Sequence, residues 1–204
     1  FLPVPHPMTG TMGAFIRIRS PIHNRSALLE VGIAGPIAGF VLAIPALFIA
    51  LTQSKFVALN ASESTFGFGE PLIFKAIAAF MGKTPPPGMD LYMHPIGLAA
   101  WFGFFATAIN LLPVGQLDGG HIAYALFGRY HKRISQGLLF FLIPLGVFYW
   151  QGWLIWTTIL LFLGVRHPIT LDDDAPLSRR HFWLGWFALI MFALCFTPIP
   201  FYIT

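Results

Sequence analysis

Residues 111–121 read LLPVGQLDGGH, at the end of an apolar run that begins at Gly97 as GLAAWFGFFATAINLL. A carboxylate and an imidazole therefore stand beside a proline and three glycines, where the neighbouring chain avoids charge. An Asp at membrane depth costs about 2.5 to 3.5 kcal/mol on insertion scales, so it is rare unless paired, hydrated or bound to a cation. Pro113 removes a backbone donor and clashes with the preceding turn, and Gly115 follows it. The helix is thus predicted to break between Asn110 and Asp118, which frees carbonyls near Asn110. Broken helices at membrane depth normally line a cavity. Two readings stay open from these residues alone. Asp118 is part of a wet or metal-containing interior site, or it is the N-cap of a short helix over Gly119–Phe127 at the membrane edge. His121 is then a first-turn residue.

The rest of the chain supports a membrane setting. Of 204 residues, 56% are hydrophobic and only 10% charged, and mean hydropathy is +0.73. A soluble domain carries roughly 25% charged residues, so this chain has too little polar surface for a soluble globule of its size. The formal charge of +4 comes from scattered Lys and Arg residues. They suit an anionic membrane surface and not nucleic acid, which is excluded as a partner. The lone Cys195 rules out an internal disulfide and a multi-Cys metal site. No basic segment followed by a cleavable apolar stretch precedes the first span, so no signal peptide is expected.

A span needs about 20 mostly apolar residues, and four regions qualify: Val31–Leu51, Gly97 to about Leu117, Leu138–Val165 and Phe182–Ile203. The third, interrupted by Pro144, Gly146 and Gly152, is read as a kinked span or a tight hairpin. The expected fold is therefore an α-helical multi-pass membrane protein with four to five transmembrane helices. Arg17, Arg19 and Arg25 precede the first span, and Arg129, Lys132 and Arg133 follow the second. This places both clusters on the cytoplasmic side by the positive-inside rule. The loop between these spans carries turn chemistry in NASEST and TPPPG, with a short amphipathic helix predicted over Pro71–Met81, either lying at the membrane interface or packed on the protein surface.

Two further elements stand out. GIAGPIAG, residues 32–39, sets Gly32, Gly35 and Gly39 on one helix face, smooth enough for another helix or a substrate backbone to approach closely. Pro36 kinks it there. Glu30, just before, is expected to pair with Arg25 or to cap the helix. Upstream, GTMGAFIRIRSP, residues 10–21, alternates like a strand and is predicted to form a β-hairpin within residues 1–25. Its edge either is covered structurally or pairs with an extended peptide.

NLLPVGQLDGGHIAYALFG, GIAGPIAGF and GTMGAFIRIRSP, in their order and separations, resemble the site-2 protease family of intramembrane zinc metallopeptidases, in its bacterial and plastid branch. The resemblance covers most of the chain. It implies one membrane-embedded peptidase-like domain over residues 1–204, the C-terminal portion of a longer catalytic core, in a bacterial or plastid membrane. It also implies Zn²⁺ as cofactor and transmembrane proteins as substrates. In that family two His of an HExxH helix and the Asp of an LDG element hold the metal, and the Glu of HExxH is the general base. By position, Asp118 matches the third zinc ligand and Asn110 a polar residue that supports the reacting peptide. Gly13, Phe15, Ile16, Arg17 and Ile18 match a membrane-associated hairpin that holds substrate extended, and Gly35, Pro36 and Gly39 line the helix-packing groove.

The sequence departs from this pattern in one respect. Its histidines, at 6, 23, 94, 121, 131, 167 and 181, include no pair four apart, so two ligands never share one helix face in the HExxH manner. The expectation is that the HExxH helix lies upstream of this chain, and that the chain alone neither holds zinc tightly nor cleaves peptides. The alternative is a non-catalytic membrane-binding or scaffold homologue. A small transporter would call for internal symmetry, which the sequence does not show.

Overall fold

The computed structural model describes residues 5–6, 10–11, 22–58, 66–165, 167 and 169–203. The chain is mostly helical. At its start, β1 (Pro5–His6) and β2 (Gly10–Thr11) pair antiparallel over two residues each. The remainder of the strand expected through Pro21, including Gly13, Phe15, Ile16, Arg17 and Ile18, lies outside the described residues.

The central element is α1 (Arg25–Gln53), 29 residues long and so about 44 Å at 1.5 Å per residue. Asn24 caps it, its Oδ1 accepting the Ala27 N–H at 2.9 Å, which is why the helix starts here and not at Val31. Glu30 takes no part in capping and does not pair with Arg25. The two are five positions apart and do not share a face, so Glu30 Oε1 instead meets His181 Nε2 at 2.7 Å. Among the described residues α1 is the one helix long and apolar enough to cross a membrane, with mean hydropathy 2.2.

The loop after α1 holds more order than its turn residues suggest. β3 (Lys55–Ala58) and β4 (Phe66–Phe68) precede α2 (Leu72–Phe80), and β5 (Met89–Tyr92) follows. β5 pairs antiparallel with β3, in the register Lys55↔Tyr92. The helix predicted over Pro71–Met81 is α2, and it buries Phe74, Ile77 and Ala78.

The second apolar region divides as Pro113 requires. α3 (Pro95–Asn110) ends ahead of it, and α4 (Asp118–Phe127) begins after a seven-residue turn. A 3₁₀ turn, Gly128–Tyr130, leads into α5 (His131–Phe148), and α6 (Gly152–Leu163) follows. The third region is therefore two helices packed on one another. Gly146 lets them close: a β-carbon there would stand 2.7 Å from Leu154 Cγ. The fourth region stops short of its expected end. α7 (Arg179–Cys195) gives way to β6 (Phe201–Ile203), antiparallel to β4. Pro198 and Pro200 supply no N–H to a helix there.

α1 packs against α3, α4 and α7, around a core that includes Leu29, Ile33, Phe40, Leu47, Phe104, Ile122 and Met191. A second core joins α3 and the 111–117 turn to α5 and α6 through Ile109, Leu112, Val114, Leu142, Trp153 and Leu160. Away from both, α5 and α6 leave large apolar groups open, among them Phe140 at 78%, Phe148 at 79% and Phe162 at 88% exposure.

Candidate active site

The turn that carries Asp118 is built from backbone. Val114 N donates to Leu112 O at 2.7 Å, Leu117 N to Val114 O at 3.2 Å, and His121 N to Leu117 O at 2.9 Å as α4 gets under way. Gly115 sits at φ +56°, a conformation that costs other residues but not glycine. The next two glycines are required by space. A β-carbon on Gly119 would run into the carbonyls of Leu111 and Leu112, and one on Gly120 into those of Val114 and Gly115. LPVG and DGG thus lock together, and the first turn of α4 lies directly on the chain that leaves α3.

The same turn of α4 lies on the glycine face of α1. A β-carbon at Gly32 would stand 2.9 Å from His121 Cβ and 3.0 Å from Asp118 O. At Gly35 it would stand 3.6 Å from Asp118 Oδ2, and at Gly39 3.1 Å from Thr107 Oγ1 of α3. Pro36 is buried between them. The two sequence elements that stand out most, GIAGPIAG and LDGG, therefore meet. Asp118 is half-buried, while Gly35 and Asn110 are exposed. Asp118 is the first residue of α4, and the N-cap position belongs to Leu117, with no side-chain cap bond. The capping role open to Asp118 in the sequence is not the one it takes.

His121 is more than a bystander. It is buried, and its Nδ1 lies 2.6 Å from His167 Nε2. His131 stands edge-on to the same His167 ring at 5.8 Å between centroids, and Tyr124 stacks on it at 4.5 Å. These residues lie up to 46 positions apart, and no spacing rule joins them. His131 precedes the apolar part of α5. Burial, and then the neighbouring His167, bring it down to about 4.

Around His167 the chain forms a strap over the entry to α1. Leu171 N donates to Ile22 O at 3.0 Å and Asp172 N to His23 O at 2.7 Å. Arg25 donates from Nη2 to Ala175 O at 3.3 Å. Tyr124 Oη and Thr170 Oγ1 both donate to Asp173 Oδ1, at 3.0 and 2.8 Å.

Residues 1–145 match the family model for peptidase family M50. The chain belongs to peptidase family M50. The match takes in α1, α3, α4 and most of α5, and so the whole Gly35–Asp118 contact. This M50 chain is 30% identical over 201 residues to a probable chloroplastic zinc metalloprotease EGY2 of Oryza sativa subsp. japonica, covering 97% of this chain and 37% of the relative. It is 30% identical over 212 residues to the EGY2 protein of Arabidopsis thaliana, covering 98% and 36%. With EGY1 of Arabidopsis thaliana it shares 30% identity over 139 residues, 66% of this chain and 25% of the relative. The chain thus spans little more than a third of the EGY2 proteins it matches. No solved structure matches it.

Zinc is the metal named in these relatives. A catalytic zinc takes three protein ligands and leaves a fourth position for water. Among the described residues no three His, Cys, Asp or Glu side chains form a group that could hold a metal ion. These residues do not by themselves fit a zinc site. Asp118 has the chemistry of one ligand: a half-buried carboxylate beside a glycine that leaves its Oδ2 uncrowded.

Proposed function

We propose that this chain is part of an intramembrane zinc metalloendopeptidase that cleaves transmembrane proteins within the bilayer. Asp118 is one metal ligand, and histidines outside these 204 residues are the others. The observation that carries this reading is the meeting of Asp118 with Gly35, which brings the two family-like elements to one place and leaves the carboxylate partly open. Membership of family M50 and the zinc metalloprotease relatives support it. Asn110, exposed at the end of α3, supports the peptide undergoing cleavage. The glycine face around Gly35, Pro36 and Gly39 admits a helix or an extended backbone, and Gly13, Phe15, Ile16, Arg17 and Ile18 hold that backbone extended.

The protein crosses the membrane several times, in a plastid or bacterial membrane. Its α5 and α6 expose Phe140, Phe148 and Phe162, groups that lipid covers and water does not favour. The chloroplastic relatives support the plastid alternative. The 204 residues belong to one membrane-embedded peptidase-like domain, as the C-terminal portion of a longer catalytic core.

The test is Asp118→Asn in the full-length protein that carries this chain, purified in detergent and assayed for bound zinc and for cleavage of a single-span membrane substrate. Loss of most zinc and of cleavage is expected. Unchanged zinc and cleavage would remove Asp118 from the metal site. A full-length protein that binds no zinc and cuts nothing would be a binding homologue instead.

A further inference from the structure

Ser135 lies just over one turn into α5, fully buried at 0% exposure. A helical Ser or Thr usually returns its proton to a carbonyl of its own helix. Thr107, Thr157 and Thr158 do this, donating to Gly103, Trp153 and Leu154 at 2.8, 2.7 and 2.9 Å. Ser135 does not. Its Oγ donates to the carbonyl of Pro113 at 3.1 Å, across from α5 to the turn that separates α3 from α4. The same Oγ lies 3.3 Å from His131 Nε2. A hydroxyl has one proton to give, and this one goes to Pro113. His131 therefore carries its proton on Nε2 and donates to Ser135. The result is a directed row, His131 Nε2–H to Ser135 Oγ–H to Pro113 O, with His131 itself 2% exposed.

Pro113 is where the row acts. The break in the apolar region leaves carbonyls without helical partners. Those of Leu111, Leu112, Val114 and Gly115 crowd Gly119 and Gly120, while the Pro113 carbonyl is held from α5. Five residues on, the same turn delivers Asp118. We propose that Ser135, oriented by His131, is a positioning residue: it fixes the 111–117 turn and through it the place of the Asp118 carboxylate. The effect on turnover rests on Asp118 belonging to the active site. The effect on the turn does not.

The experiment uses the full-length protease and compares Ser135→Thr with Ser135→Val. These two have the same shape and differ in the hydroxyl, so packing is held constant. Amide exchange is read at Val114–Leu117, with Ala188–Met191 of α7 as internal reference, alongside kcat and KM. In Ser135→Val, exchange in the turn rises about tenfold over Ser135→Thr while the α7 reference is unchanged. Its kcat falls at least about tenfold with KM within about twofold, in line with the sensitivity of sites to small misplacements. Equal exchange at the turn in the two variants would overturn the inference, as would a rise of equal size in α7, which would mark general loosening. If Asp118→Asn leaves cleavage intact, the reading of the site fails, and the exchange comparison still decides the role of Ser135.

Discussion

The carboxylate of Asp118 faces Gly35 across the α1–α4 contact, 3.6 Å from where a β-carbon on that glycine would stand. One turn earlier, at Gly32, the same helix face has no such room: His121 Cβ would be at 2.9 Å and Asp118 O at 3.0 Å. The two glycines therefore respond differently to substitution. Gly35→Ala makes an ordinary contact and improves helix propensity by up to about 1 kcal/mol, so stability holds or rises. Gly32→Ala pushes α4 off α1 and costs about 1 to 3 kcal/mol, as overpacking does. Gly35→Leu is expected to keep the fold, because Gly35 is exposed, while crowding Asp118 and cutting activity. Denaturant unfolding in detergent with a parallel cleavage assay separates the three. Equal losses at Gly32→Ala and Gly35→Ala would mean that α4 does not rest on this face.

Gly119 and Gly120 lie against the carbonyls of the preceding turn, so Gly119→Ala and Gly120→Ala force backbone apart. A flexible neighbour could yield, but here the obstacle is main chain. Each substitution is expected to lower stability by about 2 kcal/mol or more and to weaken tryptic resistance around Arg129. A wild-type unfolding curve for either variant would show that the turn and α4 are not interlocked.

Much of this arrangement was legible in the sequence because its signals are local. Pro113 and Gly115 announced the break, the three- and four-residue spacing of Gly32, Gly35 and Gly39 announced a smooth face, and Pro71–Met81 has the spacing of the helix it forms. The rest depends on distant partners. Nothing within α1 says that Glu30 will meet His181, 151 positions on, and nothing in LDGGH says that His121 will meet His167. Strands β3, β4 and β5 are three or four residues long and are fixed by pairing, too short for an alternating pattern to register. Hydropathy alone makes one span of Phe182–Ile203, whereas Pro198 and Pro200 carry the decisive signal.

His131 makes stability depend on pH. Its imidazole is lowered to about 4, first by burial and then by His167, against an ordinary value of about 6.5 in the unfolded chain. Between these values the unfolded state binds the proton and the folded state does not. Stability is therefore complete above about 6.5 and falls as pH drops toward 4. His131→Gln removes this contribution, so unfolding midpoints measured from pH 7 to pH 4 should decline less steeply than in the wild type. Identical slopes would show that His131 titrates the same way in both states.

The strap over α1 closes on one carboxylate oxygen, since Tyr124 and Thr170 both donate to Asp173 Oδ1. Asp173 itself is half-buried, while Leu171, Asp172 and Asp174 on either side are exposed. Removing the phenol in Tyr124→Phe leaves Thr170 in place and costs about 1 kcal/mol, the usual net worth of such a bond. Asp173→Ala removes both bonds and costs more. The two substitutions share a partner, so their effects fall short of additive, with a coupling energy of at least about 0.5 kcal/mol in a double-mutant cycle. Limited proteolysis gives a second readout. A loosened strap is cut within Leu171–Asp174 sooner, in both single variants and to a similar extent in the double variant. Strict additivity, with unchanged cutting in Tyr124→Phe, would mean that the strap is held by its backbone bonds to Ile22 and His23 and by Arg25, without the Asp173 carboxylate.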